Sequence, residues 1–504
     1  MRKITFREKI GLLYFKYFVR RRQQRGFDAA KTNRLLNDWA TGSKSADYDI
    51  ENDLETLRAR SRDLCNNNDY GRKFMNLLAT NVVGANGIRL QSKAKLPDGE
   101  LDSDTNDMIE AAWKQWCKKG NCTADGRHSF RDVQRLVIQT VARDGEILIR
   151  KVPGYNNAFR FALQIIEPDY LDIKYKDERK NIRMGIESDR WKAPKAYHIL
   201  KKHPGDRFYS AAPGKYDRIP AKEINHLYIP ERAEQTRGVP WTVTALKRLH
   251  MLGHYEQSEL VAARVGAAKM GFLQSPQGYN YQGDDTDAAG NVITEVSPGK
   301  LEQLPQGYEF KPFDVDHPNS GFEQFVRAAL RGAASGLNVS YDSLSSNLSD
   351  VNYSSLRQGA IELRDGWMML QSWMIEHFCE DIFSEWLNWA MVSGQLNLKM
   401  QDINRINTPM WQPRRWAWVD PLKDVQASTT AIQQGLRSRT DIVAESGGDV
   451  EDIFEQLAQE KEAAEKLGIK IEKDSEEKEN EQDDQDGKNV SPLYLQPGGA
   501  QRGR

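Results

Sequence analysis

The chain has 504 residues, enough for two to four domains and at least one large core, and its 12 Trp, 17 Phe and 18 Tyr supply bulky apolar area to fill it. Lys plus Arg number 71 against 72 Asp plus Glu, which argues against a protein that holds nucleic acid by global charge, because phosphate affinity grows with each cation brought to the backbone. Cys65, Cys117, Cys122 and Cys379 form no C-x-x-C pair, which fits a reducing compartment, and no apolar run reaches the roughly 18 residues that span a bilayer.

In chain order, the apolar run Ile10 to Val19, followed by Arg20, Arg21 and Arg22, is too short to span and lacks a signal-type cleavage site; it reads as a docking helix or a flexible basic arm, with a membrane-surface helix as the lesser alternative. From Ile50 to about Val83 the spacing is helical, with Leu54, Leu57 and Leu64 on one face. Asn66, Asn67 and Asn68 interrupt it, so two helices are predicted. V82-V-G-A-N-G-I-R-L-Q91 looks like a strand entered through glycines. Helices follow over Asp104 to Lys118 and Ser129 to Arg143, with Ser129 as the cap and Asp132 favourable in the first turn. From Glu146 to Pro230, short β-like runs (I147-L-I-R-K-V152, F159-R-F-A-L-Q-I-I166 and A196-Y-H-I-L200) alternate with Pro and Gly, as in a mixed α+β region.

A long helix starts after Gly238-Val239-Pro240, Pro being tolerated at a helix start, and continues to about Met270. Residues Gly271 to Gly321 are rich in Gly, Pro, Asp and Asn, with strand-like Ile293 to Val296 and Tyr308 to Phe313, and form a turn-rich insertion. A second helix, Phe322 to about Leu337, is short and rich in Ala, Gly and Arg. The next stretch, S345-S-N-L-S-D-V-N-Y-S-S-L-R357, places hydroxyls and amides between two helical patterns. From Leu356 to about Val392 the apolar positions 356, 360, 363, 367, 370, 374, 378, 382, 386 and 389 step by three or four, one helical stripe with Gly366 as the expected kink. Unbroken, it would reach roughly 55 Å at about 1.5 Å per residue. Beyond Gly394 come Trp411, Trp416 and Trp418, a helix over Asp424 to Gln434 and another over Asp449 to Leu467. The acidic run Ile471 to Gly487 has too few apolar residues to fold alone.

No G-x-x-x-x-G-K-[ST] loop, G-x-G-x-x-G turn, G-x-S-x-G elbow or H-E-x-x-H helix occurs, so an energy-coupled motor or a dinucleotide enzyme is not expected. His250 and His254 lie four apart but lack a third ligand and an intervening Glu, and read as helix-surface histidines. Cys117, Cys122 and His128 lack an evident fourth ligand. I166-E-P-D-Y-L-D172 gathers three carboxylates as a nuclease might; Pro168 forces a turn, so Glu167 and Asp169 are expected to fix a strand end by accepting backbone hydrogen bonds. The chain does not read as an enzyme: no catalytic residue, metal site or cofactor is expected.

The segments L57-R-A-R-S-R-D-L64, N81-V-V-G-A-N-G-I-R-L-Q91, I166-E-P-D-Y-L-D172, L260-V-A-A-R-V265, D314-V-D-H-P-N-S-G-F-E-Q-F325, G336-L-N-V-S-Y-D-S-L344 and V351-N-Y-S-S-L-R357 resemble, in order, the portal proteins of tailed bacteriophages of the lambda type, over roughly residues 50 to 420. The resemblance implies an α+β, mainly helical portal fold with wing, two-helix stem, clip and a long helix beneath a helical crown. It implies an N-terminal basic arm over 1–49, a wing over 50–238, stem helices over 239–270 and 322–337, and a clip over 271–321. A tunnel loop over 338–355, the long helix over 356–393, a crown or C-terminal helical region over 394–470 and an acidic disordered tail over 471–504 complete it.

The implied assembly is a ring of identical subunits, typically a dodecamer, at the portal vertex of a virion capsid, assembled in the cytoplasm of a bacterial host. Double-stranded DNA is packaged and ejected through it, with terminase, major capsid protein, scaffold and head–tail connector proteins as partners and no membrane. Each Lys or Arg on such a wall is repeated around the ring and could trap the duplex. The tunnel-loop residues Ser345, Ser346, Asn347, Ser349, Asn352 and Ser354 are expected to offer neutral groups that exchange for water, and Asp350 to repel phosphate slightly. Arg327 and Arg331 form a basic band in the lumen or pair with a neighbour's acids. Ring closure needs two different faces per subunit, and part of the area of Trp367, Trp373, Trp386 and Trp389 is expected to pack on the next copy. The alternatives are another ring-forming head–tail adaptor without a packaging role, or a metal-dependent DNA-processing enzyme built on Glu167, Asp169 and Asp172.

Overall fold

The computed structural model describes residues 34, 38–206, 216–267, 321–349, 353–416, 421–445 and 450–467, with four short strands between 271 and 312. It is mostly helical with several small antiparallel sheets. The chain divides into two compact units, the first Met1–Met75, Gln139–Val152 and Leu163–Ser346, the second Asn76–Ile138, Pro153–Ala162 and Asn347–Arg504.

In the first unit, helix α1 (Ala46–Asn67) begins at Ser45, whose Oγ accepts the Tyr48 N–H at 3.2 Å. Asn68 both ends it and starts α2 (Asp69–Leu78): its own N–H returns to the Leu64 carbonyl at 3.0 Å, and its Oδ1 accepts from Tyr70 and Gly71 N–H at 3.1 Å. The predicted break is therefore one residue wide. The buried face of α1 includes Leu54 and Leu64 as expected, whereas Leu57 is only half-buried, and two positions of the inward stripe, Arg58 and Ser61, carry polar side chains that find partners.

Strands β2 (Glu146–Pro153), β3 (Phe161–Ile166) and β8 (Ile224–Tyr228) form a sheet in the order β3-β2-β8, with Ile147 opposite Leu227. A second sheet, β4 (Ile182–Arg183), β5 (Ile186–Ser188), β6 (Pro194–Leu200) and β7 (Tyr216–Pro220), is a meander in chain order. Leu148, Ile166, Leu171, Tyr197, Ile199 and Ile219 fill the core that both sheets share.

In the second unit, α3 (Ser103–Trp116), capped by Asp102, and the first residues of α4 (Phe130–Asp144) enclose an aromatic core. Ser129 and Asp132 form a reciprocal cap: Ser129 Oγ accepts the Asp132 N–H at 3.3 Å and Asp132 Oδ2 accepts the Ser129 N–H at 3.1 Å. Strand β1 (Arg89–Ser92) pairs antiparallel with a strand over Pro409–Gln412, Leu90 opposite Trp411. Trp113 lies 4.9 Å from both Trp116 and Trp386 and 5.1 Å from Phe130, ring centre to ring centre. Trp386 is fully buried there, so it is used by its own subunit; the expectation that it supplies area to a neighbour is corrected.

The long helix is two helices, α8 (Tyr353–Met374) and α9 (Glu380–Val392), joined by a π-turn over Ile375–Cys379. Gly366 lies inside α8 with open space around it and is not the interruption. The reason is in the apolar spacing: from Leu370 to Trp386 four successive steps of four residues cover 16 positions, where four α-turns take about 14.4. The π-turn absorbs the excess and keeps Phe378 and Phe383 in the core. Short helices Ile403–Ile406 and Arg439–Glu445 were not anticipated, whereas Pro421–Gln433 and Val450–Leu467 match the predicted pair closely. The acidic run 471–487 and the basic arm before residue 34 lie outside the described residues.

Emptying the aromatic core should be costly. Trp386→Ala is expected to lower unfolding free energy by about 3–5 kcal/mol, whereas Met369→Ala, on an exposed side chain, should stay within about 0.5 kcal/mol. Urea denaturation measures both, and equal midpoints for the two variants would contradict the assignment of the core.

Candidate functional site

Helices α5 (Val243–Ala267) and α6 (Phe322–Gly336), the second of which carries Arg327 and Arg331 and leads into the predicted loop, pack as a pair in the first unit. The small residues of α6 make this close approach possible. A Cβ on Gly332 would fall 1.1 Å from Arg248 Nη1, and one on Gly336 would fall 2.9 Å from Thr244 Oγ1. Thr244 Oγ1 also donates to the Gly336 carbonyl at 2.7 Å, and Tyr255 meets Phe325 edge to face at 4.8 Å. Pro240 is not the first helical residue of α5 as expected; Val243 N–H returns to the Pro240 carbonyl at 3.3 Å, so a turn precedes the helix.

The root of α5 is tied to the unit by one fully buried carboxylate. Glu146 Oε1 accepts from Arg58 Nη2 at 2.6 Å and from Arg237 Nε at 2.7 Å, while Oε2 accepts the Gly238 N–H at 2.8 Å and lies 3.0 Å from His226 Nε2. Arg237 spends its remaining donors on the Met184 and Leu171 carbonyls at 2.8 and 3.0 Å. Burial alone would raise the Glu146 carboxyl, but the Arg237 and Arg58 charges outweigh it and hold the group well below the usual carboxylate range. Gly145 and Gly238 let the two chain segments touch: a Cβ on Gly238 would lie 2.1 Å from the Gly145 oxygen, and Gly145 has φ +91°. Trp241 N–H to the Ala142 carbonyl (2.9 Å) and Thr242 Oγ1 to Ser61 Oγ (2.7 Å) extend the anchor to the start of α5.

Following α6, the chain does not run straight into an open loop. Ser340 caps a short helix α7 (Tyr341–Ser345), its Oγ accepting the Ser343 N–H at 3.1 Å, and Leu344 is buried beneath it. Ser345 Oγ is spent on the Tyr341 carbonyl at 2.8 Å, and Ser346 takes φ +58° as the C-cap. Asn347 Oδ1 accepts from the N–H and Oγ of Ser349 at 3.0 and 2.7 Å. The expectation of one continuous loop over 338–355 is thus corrected: its first part is a capped helical turn. Asp350 and Asn352 lie outside the described residues, and Ser354 falls in the first turn of α8. Arg327 pairs with Glu323 at 2.9 Å on its own helix, and the Arg331 guanidinium lies 5.6 Å from the Tyr341 ring centre.

The remaining sequence candidates do not assemble into catalytic sites. Asp169 Oδ2 accepts from Arg62, with Arg58 Nη1 3.9 Å from Oδ1, and Asp172 accepts from Lys174 N–H at 2.8 Å and Tyr216 OH at 2.7 Å. Asp169 thus faces two guanidinium groups and Glu167 an imidazole, where backbone donors were expected. His203, not Asp172, joins them, its Nε2 3.3 and 3.4 Å from the two carboxylates, and the Arg62 charge on the same Asp169 oxygen opposes a cation. His250 and His254 stand ring to ring at 4.6 Å, and among the described residues no third ligand joins them. Cys122 donates to the His128 carbonyl at 3.2 Å, and burial pushes its thiol up to about 12. Among the described residues no helix is long and apolar enough to cross a membrane.

Sequence reasoning missed Glu146, Asp144 and Arg237. The available signal was Arg58, four residues from Leu54 on the inward stripe of α1, which demands a buried acid.

Residues 32–371 match the family model described as phage portal protein, lambda family. The chain is 39% identical over 454 residues to the probable portal protein of Halomonas phage phiHAP-1, covering 88% of each. It is 23% identical over 482 residues to portal protein B of Escherichia phage lambda, covering 86% of this chain and 89% of that one. Among solved structures, the neck of a native GTA particle computed with C12 symmetry is similar at 13% identity and a TM-score of 0.42, over 79% of this chain and 93% of that one.

The buried anchor has a pH signature. Because the Glu146 carboxyl is depressed on folding, its stabilisation is complete above its ordinary value of 4.5 and is lost as pH falls below that toward the folded value. Glu146→Gln is expected to cost about 3–5 kcal/mol at neutral pH by leaving buried guanidinium charge uncompensated, and to make the acid-side fall in stability shallower. Urea titrations across pH measure both; an unchanged midpoint and an unchanged acid limb would contradict the anchor.

Proposed function

The chain belongs to the lambda family of phage portal proteins, and on that premise we propose that identical copies of it close into a ring, of dodecameric type, at one capsid vertex. Double-stranded DNA is packaged through this ring and later ejected through it. The protein is a structural component of the particle and not an enzyme. In this reading α5 and α6 are the stem, residues 271–321 between them are the clip that meets terminase, and residues 338–355 are the loop that faces DNA. Capsid protein and scaffold meet the wing, and head–tail connector proteins meet the ring from outside the shell. Assembly takes place in the bacterial cytoplasm.

The observation that carries this reading is the charge of the segment between α6 and α8. Not one Lys or Arg occurs from Asn338 to Leu356. A moving duplex meets hydroxyls and amides there, whose hydrogen bonds exchange with water at little net cost, while every cation would recur in each copy and add to phosphate affinity. The nearest arginines upstream are engaged: Arg327 is neutralised by Glu323, and Arg331 lies near the Tyr341 ring. Near-zero net charge, at first an objection to a DNA partner, suits a conduit.

Asn347→Lys is expected to leave ring assembly intact and to slow or stall packaging, read as the length of genome protected from nuclease. Full-length packaged genomes in this variant would place the segment away from DNA. Deleting residues 275–297, which lie largely outside the described residues, is expected to preserve the oligomer and abolish terminase association. Undiminished pull-down of terminase would put its docking site elsewhere.

A further inference from the structure

Among the described residues none after Pro413 is buried, although the helices Pro421–Gln433, Arg439–Glu445 and Val450–Leu467 all carry apolar side chains. Short helices without a core of their own need a partner surface. On the last of them Val450, Ile453, Phe454, Leu457 and Ala464 fall on one stripe by helical spacing. Arg439–Glu445 packs against this helix, and Glu451 pairs with Lys93 at 3.3 Å, yet Phe454 and Leu457 remain 50% and 52% exposed. Glu460 and Glu465 flank the stripe, both exposed, and among the described residues neither makes an ion pair. Over the whole helix six acids stand against two lysines.

Such a face is matched by a segment that is apolar along its centre and basic at its rims. The acidic run 471–487 has the wrong sign and too few apolar residues, and a second copy of the same helix would set like charges together. The N-terminal run, outside the described residues, has the right chemistry: from Met1 to Arg22 there are eight cations and one acid, around the apolar stretch Ile10 to Val19. Its spacing also fits. Leu13, Tyr14, Tyr17, Arg20 and Arg25 repeat the intervals of Ile453, Phe454, Leu457, Glu460 and Glu465, so a parallel pairing of two helices sets apolar on apolar and guanidinium on carboxylate.

We propose that residues 10–25 of one copy dock as an amphipathic helix on the Ile453, Phe454 and Leu457 stripe of the neighbouring copy, with Arg20 and Arg25 against Glu460 and Glu465. This rests on the portal reading for the presence of a neighbour. A closed ring needs two different surfaces per copy that complement each other, and a basic apolar segment with an acidic apolar helix is such a pair. The run that the sequence marks as a docking helix thereby gains its receptor, and the exposed stripe its cover.

The test is disulfide trapping in the full-length protein carrying Tyr17→Cys and Leu457→Cys, read on a non-reducing denaturing gel after mild oxidation. Covalent dimers and a ladder of higher species are expected, well above either single variant, which report the background from the four native cysteines. Adding Arg20→Glu/Arg25→Glu should lower the trapped yield roughly tenfold, and adding Glu460→Lys/Glu465→Lys to the same chain should restore it. No ladder above the single variants overturns the proposal, as does a link formed only within one chain, or a yield indifferent to charge reversal. Untrapped protein that instead pellets with phosphatidylglycerol vesicles through Arg20 and Arg25 assigns the run to a lipid surface and also overturns it. Sedimentation separates this proposal from the portal reading: closed rings without trapping sink the docking alone, and trapped open chains that never close sink the ring alone.

Discussion

A single buried carboxylate, Glu146, holds together the part of the chain from which the helix pair departs. It receives two guanidinium groups and a backbone N–H, with an imidazole at hydrogen-bond distance, and it does so with no exposed surface. Stripping water from such a group costs several kcal/mol, and the cost is recovered only when each lone pair is met. Here that condition also fixes geometry. Arg58 brings α1, His226 brings β8, and Arg237 with Gly238 brings the chain just before α5. The glycines at 145 and 238 are the steric side of the same joint, since side chains at either position would push apart the segments that the carboxylate joins.

From that joint α5 extends as one arm of a tight pair whose spacing is set by small residues. Gly332 and Gly336 let α6 lie against Arg248 and Thr244, and aromatic contacts of Tyr255 with Phe322 and Phe325 lie further along. Positive charge in this chain is distributed with a pattern that net charge conceals. It is absent from 338–356, paired with Glu323 at Arg327 of α6, and buried against acids around Glu146. In the portal reading proposed above, the cation-free segment suits a duplex that passes it freely, because affinity grows with each phosphate neutralised.

Much of the fold was legible because local signals were strong. Ser129 with Asp132 announced a cap, Asn68 a break, and Gly84 with Gly87 the approach to β1, but Val82 and Val83, expected in that strand, lie in the helical turn over Ala79–Val83. Strands β4 and β5 were not, since two or three residues carry no period. The π-turn was readable in hindsight from four consecutive four-residue steps, which an α-helix cannot sustain on one face. The helical turn inside the polar segment was signalled by Ser340 three residues before Ser343, and was hidden by the uniform polarity around it. The site was less legible than the fold. Arg58 and Arg62 were visible as part of a motif, but their acids come from residues 144, 146 and 169, and only the folded chain brings them together. Trp416 carried no signal of its neighbours in the sequence, and only the folded chain sets the Arg364 and Arg414 guanidiniums beside its ring.

For a duplex to pass as proposed, copies of this chain must enclose an axial opening. Electron microscopy of the purified full-length protein, averaged down the particle axis, tests that most directly. Annular particles with an open centre wide enough for a DNA duplex are the expected result. Particles filled along the axis, or compact monomers that persist at high protein concentration, would contradict it.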